Sequence, residues 1–226
     1  ITCVFLQGAG QKAFCAGGDI RQLYQSMAAS DDAVNHYAID FFTREYQLDY
    51  HIHTYSKPIV VWAHGIVMGG GMGLCNGASH RIVTNSTRMA MPEASIGLYP
   101  DVGGSWFLNE LPARIGLFLG LTGATIDASD AVALGLADNM IDEGKKGTVL
   151  KALTQLNWKV DVEACRRQIS DLLSEFTIAG PESQVNKNRD IIQALTSGSS
   201  LAEVYKTIAT YEDGDNWMKS AVKRVQ

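Results

Sequence analysis

Nineteen of the 22 glycines in this 226-residue chain lie at or before Gly147, and that asymmetry restricts the fold more than any other feature. Glycine supplies tight turns and close backbone approach, so a glycine-rich stretch broken by apolar runs reads as short elements with compact connections. The charges divide at the same place: residues 1–147 hold 9 Lys and Arg against 14 Asp and Glu, and residues 148–226 hold 10 of each. In the front part, β-branched and aromatic runs at residues 2–6, 59–63, 81–84 and 88–91 read as strands, the second of them buried. Helices are expected after Asp19 and over residues 34–50, 113–121 and 129–134. Apolar strands alternating with helices imply an α/β sheet covered by helices. From Thr148 onward, Val162, Ile169, Leu172, Leu173 and Phe176 recur at helical spacing, so residues 148–226 are expected to be a helical part, broken at Gly180-Pro181 and at residues 197–200.

Composition excludes several classes. With 46% hydrophobic and 19% charged residues the chain is not disordered, and its length carries a full core without disulfide or metal staples. A net charge of −5 makes nucleic acid a poor partner. Cys3, Cys15, Cys75 and Cys165 form no CxxC pair, which fits reduced thiols in the cytoplasm or, in a eukaryote, the mitochondrial matrix. No apolar run approaches the roughly 18 residues of a spanning helix, so no membrane is expected. The first residues, ITCVFLQG, read as a strand rather than a signal peptide.

The motifs GxxxxGK[ST], HExxH and GxSxG are absent, and Gly69-Gly70-Gly71-Met72-Gly73-Leu74 has leucine where a dinucleotide fingerprint needs its third glycine. His51 and His53, one residue apart, do not share a helical face and read as surface or packing residues rather than metal ligands. Two glycine clusters, Phe14-Cys15-Ala16-Gly17-Gly18-Asp19 and His64-Gly65-Ile66-Val67-Met68-Gly69-Gly70-Gly71, each follow a strand and open a helix. Unpaired N–H groups at such openings favour developing negative charge, and two of them converging on one point make an oxyanion hole. Glycine content alone fits tight turns and close packing equally well. Glu93 follows Pro92 and Asp101 follows Pro100, so both carboxylates sit on rigid loop positions suited to a placed base, or to capping a helix.

The ordered runs GAGQKAFCAGGDI, KPIVVWAHGIVMGGGMGL, MPEASIGLYPDVGGSWFLNELP and LTGATIDASDAVALGLAD resemble the crotonase (enoyl-CoA hydratase/isomerase) superfamily. The 3-hydroxyisobutyryl-CoA hydrolase branch is the most similar. The resemblance implies a crotonase-like α/β fold of repeated β-β-α units, an acyl-CoA-binding core over residues 1–147 and a helical part over 148–226. It also implies a chain lacking segments at both ends, since family members begin with a further strand and continue into a further C-terminal segment.

By motif position the thioester carbonyl would lie between the N–H groups of Gly18 and Gly70. Hydratases of the family carry one glutamate just after the triple glycine and a second at the position of Glu93; the first position here is Gly73, which disfavours two-glutamate hydration. The hydrolase branch matches at Glu93, Asp101 and the glutamate of an FFxxEY segment, here Glu45 in Phe41-Phe42-Thr43-Arg44-Glu45-Tyr46. The resemblance makes Glu93 the nucleophile or the base that activates water, Asp101 the group that positions water or a substrate hydroxyl, and Glu45 a substrate contact. Gly18, Gly70, Glu93 and Asp101 are thus the expected catalytic set, and Glu45, Gly70, Glu93 and Asp101 the expected substrate contacts. No metal or redox cofactor is implied, because coenzyme A belongs to the substrate. An enoyl-CoA isomerase and a non-catalytic acyl-CoA-binding or assembly module are the competing readings, and the assembly state, a homo-oligomer included, stays open.

Overall fold

A computed structural model describes residues 1–29 and 34–225 of the chain. Its strands are β1 (Val4–Gln7), β2 (Ala13–Cys15), β3 (Ile59–Ala63), β4 (Ile66–Met68), β5 (His80–Val83), β6 (Arg88–Ala90), β7 (Ile126–Asp127) and β8 (Asn139–Met140). The front helices are α1 (Ile20–Ala28), α2 (His36–His53), α3 (Gly70–Asn76), α4 (Gly104–Asn109), α5 (Ile115–Thr122) and α6 (Ala128–Ala133). They are followed by α7 (Lys146–Thr154), α8 (Val162–Ser174), α9 (Gln184–Lys187), α10 (Arg189–Leu195), α11 (Leu201–Ala209) and α12 (Asn216–Lys223).

The strands form two four-stranded sheets, ordered β1-β3-β5-β8 and β2-β4-β6-β7. All neighbours are parallel except β6 and β7. From β1 to β6 successive strands enter alternate sheets and helices return the chain after β2 and β4, so each β-β-α unit adds one strand to both sheets; β7 then stays in the sheet of β6, and β8 joins the other. This is the crotonase-like α/β architecture. β3 shows why its sequence is apolar throughout: Ile59, Val61 and Ala63 enter one hydrophobic cluster, and Val60 and Trp62 enter another on the opposite face. Period-two alternation thus buries both faces of the strand.

The second cluster is closed by Val149 and Leu153 of α7 and Ile169 and Leu173 of α8. The first cluster takes in Val185, Ile192, Val204, Ile208 and Met218 from the later helices. Both cores therefore draw residues from either side of Gly147. Among the described residues no helix is long and apolar enough to cross a membrane.

β2, β4, β7 and β8 go beyond the elements expected from sequence. They are two or three residues long, too short for a periodic pattern, and exist because a ladder partner is already in place. Asp19 ends as the cap of α1, its side chain accepting from Gln22 N at 3.0 Å.

Candidate active site

The parallel pairing of β2 with β4 brings two glycine turns side by side. After β2 the chain passes through Gly17 (φ +96°) and Gly18 to the cap at Asp19; after β4 it passes through Gly69 (φ +54°) into α3 at Gly70. A Cβ on Gly17 would lie 3.2 Å from the Met68 carbonyl oxygen and 3.7 Å from Gly70 N, so the two turns are in contact. Among the described residues neither Gly18 N–H nor Gly70 N–H has a hydrogen-bond partner.

The acids come from three other segments. Glu93 opens a short 3-10 turn, is 6% exposed, and lies across the second glycine turn, its Oε1 2.9 Å from where a Gly69 Cβ would stand. Burial pushes its carboxyl up to about 7 against the opposing effect of its own backbone N–H, and the negative charges of Asp101 and Glu45 raise it further. Its Oε2 has no hydrogen-bond partner among the described residues. Asp101 accepts a 2.7 Å hydrogen bond from the Tyr46 hydroxyl. Neither acid caps a helix: Pro92 and Gly103 hold the cap positions, with no side-chain cap bond at either. Glu45 stands on α2 so close to Gly70 that a Cβ there would run into its carboxylate, and burial first, then Asp101, raises its carboxyl above the ordinary range. Gly18, Glu45, Gly70, Glu93 and Asp101 all line one cleft of about 90 Å3. Every residue the sequence singled out for the site is therefore at this one place.

One acid of the neighbourhood escaped the sequence reading. Asp49 sits one turn beyond Glu45 on α2, a spacing that places both on one face and was the available signal. That face lies against the glycines of α3: a Cβ on Gly73 would come within 3.0 Å of Asp49 Oδ1 and 2.6 Å of Val102 Cβ, and one on Gly77 within 3.1 Å of Ile52. Both carboxylate oxygens of Asp49 are buried without a hydrogen-bond partner among the described residues. Its carboxyl is pushed up to about 7 by burial, then by Glu45 and Asp101. Asp49, Tyr46, Gly73 and Asp101 line a second cavity of about 490 Å3 that adjoins the cleft through Asp101. Val102, a β-branched residue at φ +44°, is held there in the left-handed region, a strained conformation of the kind that tight functional loops sustain. His53 packs edge-on against Trp106 and His51 against Tyr55, as packing residues do.

A model of the enoyl-CoA hydratase/isomerase family matches residues 1–226. The mitochondrial 3-hydroxyisobutyryl-CoA hydrolase of Danio rerio is 44% identical over 207 residues, 91% of this chain and 53% of that protein. The small ribosomal subunit protein mS47 of Neurospora crassa is 36% identical over 182 residues, 79% of this chain and 35% of that protein. Among solved structures, a carnitinyl-CoA dehydratase from Mycobacterium thermoresistibile superposes with a TM-score of 0.83 at 32% identity, over 100% of this chain and 61% of that one. The chain spans about half the length of the curated hydrolases it matches.

Proposed function

The chain belongs to the enoyl-CoA hydratase/isomerase family, and on that premise we propose that it serves the hydrolysis of a short β-hydroxyacyl-CoA thioester of the 3-hydroxyisobutyryl kind. The observation that carries this reading is the placement of Glu93, a buried carboxyl lying across the Gly69–Gly70 turn, with glycine and not an acid at residue 73. The zebrafish relative, named a 3-hydroxyisobutyryl-CoA hydrolase, supports the same reaction.

In this proposal the thioester oxygen sits between Gly18 N–H and Gly70 N–H. Both donors are in place before the reaction, so the oxyanion of the tetrahedral intermediate is met without reorganisation; one such donor contributes about 2.7–4 kcal/mol. Glu93, as carboxylate, either takes a proton from the attacking water or attacks the carbonyl carbon itself. By the first route the C–S bond breaks as the oxyanion collapses, and the coenzyme A thiolate recovers the proton from Glu93. By the second the thiolate leaves an acyl–Glu93 anhydride, which water then cleaves. Both routes begin with Glu93 ionised. Asp101, held by Tyr46, orients the water or the substrate hydroxyl, and Glu45 contacts the substrate. Neither route uses a metal or redox group, and coenzyme A enters as part of the substrate.

The Neurospora relative named as a ribosomal protein favours a second reading, a non-catalytic assembly module on the same scaffold. A scaffold role gives no reason for four carboxyls gathered beside the glycine turns with so few partners. Incubating the protein with 3-hydroxyisobutyryl-CoA and titrating free thiol separates the readings. Release at a rate well above spontaneous hydrolysis supports the hydrolase, and no release with intact acyl-CoA binding supports the module.

A further inference from the structure

Glu93 stands just past the end of β6, and the chain there is flanked on both sides. On one flank, Gly69 N–H donates to the Ala90 carbonyl at 3.1 Å. On the other, β6 and β7 pair antiparallel with Arg88 opposite Asp127 and Met89 opposite Ile126. The same register carried past β6 sets Pro92 opposite Gly123, and the packing agrees: a Cβ on Gly123 (φ +58°) would stand 3.0 Å from Pro92 Cα and 3.4 Å from the Met91 carbonyl oxygen. Pro92 has no N–H, so residue 92 adds no ladder bond to this contact. The turn that carries Glu93 bonds within itself: Ser95 donates to the Pro92 carbonyl from its N–H at 3.0 Å and its hydroxyl at 2.7 Å, and Leu98 N–H donates to the Glu93 carbonyl at 3.1 Å. Its placement on this flank therefore depends on what holds Gly123.

The answer comes from α12, 92 to 101 positions further along the chain. The Arg224 guanidinium donates to the Gly123 carbonyl and, through Nη2, to the Thr125 hydroxyl at 3.2 Å. The Trp217 indole N–H donates to the Thr125 carbonyl at 2.8 Å, and its ring packs 5.9 Å from that of Phe118 on α5. Trp217 and Arg224 are seven residues apart, two turns on one face of the helix. Residues 123–125, which belong to no helix or strand, are thus pinned by three bonds from one helix face. We propose that Arg224, aided by Trp217, is a positioning residue for Glu93: by fixing Gly123 against Pro92, the helical part of the chain braces the turn on which the reactive carboxyl stands. The inference rests on the hydrolase reading of Glu93.

Arg224→Met keeps the aliphatic stem and removes the donors. With 3-hydroxyisobutyryl-CoA as substrate, kcat for thiol release is expected to fall about tenfold with KM within about twofold, because a small misplacement of a reacting group costs turnover more than binding. The charges that act on Glu93 are those of Asp101 and Glu45, which the variant leaves in place, so its titration reports burial. A loosened turn admits water to Glu93 and lets its carboxyl fall toward the ordinary range, moving the rising limb of kcat/KM to lower pH. Arg224→Lys, which keeps a cationic donor for the Gly123 carbonyl, is expected to recover most of the turnover. Val204→Ala, which trims a buried side chain of α11 and none of the three bonds, is the control for lost stability: a lower thermal midpoint with the limb in place. Parent-like kcat and pH limb in Arg224→Met overturn the inference and leave the hydrolase reading intact, and so does an equal loss and shift in Val204→Ala. A parent that releases no thiol removes the hydrolase reading, and the inference with it.

Discussion

The Tyr46 hydroxyl donates to Asp101 Oδ2 at 2.7 Å, joining α2 to the loop before α4 across 55 positions of sequence. That bond satisfies part of Asp101 and fixes where its charge points. Glu93 has no such partner from another residue, and its Oε2 is buried and unpaired. The neighbouring carboxyls are thereby placed unequally, one held by a donor and one left to a proton, which is the arrangement acid–base chemistry near neutral pH requires.

Replacing Glu93 with glutamine keeps the shape of the site and removes its ionisable group. Thiol release from 3-hydroxyisobutyryl-CoA is expected to fall at least about a hundredfold, while calorimetry still detects the bound thioester. Turnover within a few-fold of the parent would take the catalytic role away from Glu93.

In the proposed hydrolysis Glu93 acts as carboxylate, so kcat/KM is expected to rise with pH and to level off above about 7, where its carboxyl titrates. The Asp101 charge is one of the causes that raise Glu93. Asp101→Asn is therefore expected to lower the plateau and also to move the rising limb to lower pH. A limb that stays in place would show that another group controls it.

A Cβ at residue 70 meets the far end of the Glu45 side chain, which is free to swing aside. Gly70→Ala is accordingly expected to fold with a thermal midpoint close to the parent's and to lose turnover by displacing both Glu45 and the thioester carbonyl. Gly18→Ala meets the Phe41 ring at 2.6 Å and is expected to cost more stability, read by thermal unfolding. Equal turnover in Gly70→Ala and parent would remove this turn from the site.

Introducing the hydratase glutamate at residue 73 is expected to fail. Its Cβ would stand 2.6 Å from Val102 Cβ and 3.0 Å from Asp49 Oδ1, in space those side chains already fill. Gly73→Glu should lower the thermal midpoint and leave hydration of crotonyl-CoA, followed by loss of enoyl absorbance, no faster than in the parent. Fast hydration by the parent without thiol release would return this chain to the hydratases.

Burial raises the carboxyls of Glu93 and Asp49 from 4.5 and 3.8 to about 7 in the folded protein. Between those limits the native state holds more protons than the unfolded chain, so the contribution of these groups to stability falls as pH rises toward 7 and is lost above it. Asp49→Asn takes one titrating group out of that balance. The difference in thermal midpoint between about pH 5 and about pH 8 is expected to narrow in this variant, and an unchanged difference would show that Asp49 is not the group responsible.

What the sequence determined by itself was local. The apolar run of β3, the turns after β2 and β4, the cap at Asp19 and the prolines ahead of Glu93 and Asp101 are set by steric rules acting within a few residues, and the order of the glycine and Pro-acid motifs was enough to indicate the family and to single out Gly18, Glu45, Gly70, Glu93 and Asp101, which the fold brings to one cleft. β2, β4, β7 and β8 were not legible, because a strand of two or three residues is defined by its partner and not by its own pattern. One acid of the neighbourhood was also hidden. Asp49 looks like one more polar residue on an amphipathic helix until α2 is laid against the side-chain-free face of α3, where Gly70, Gly73 and Gly77 let it approach. Tyr46 finds Asp101 only once those helices and the loop before α4 have met. Proton affinity depends on burial and on charges brought from segments far apart in the chain, so the tertiary structure alone decided that Glu93 and Asp49 titrate near neutrality.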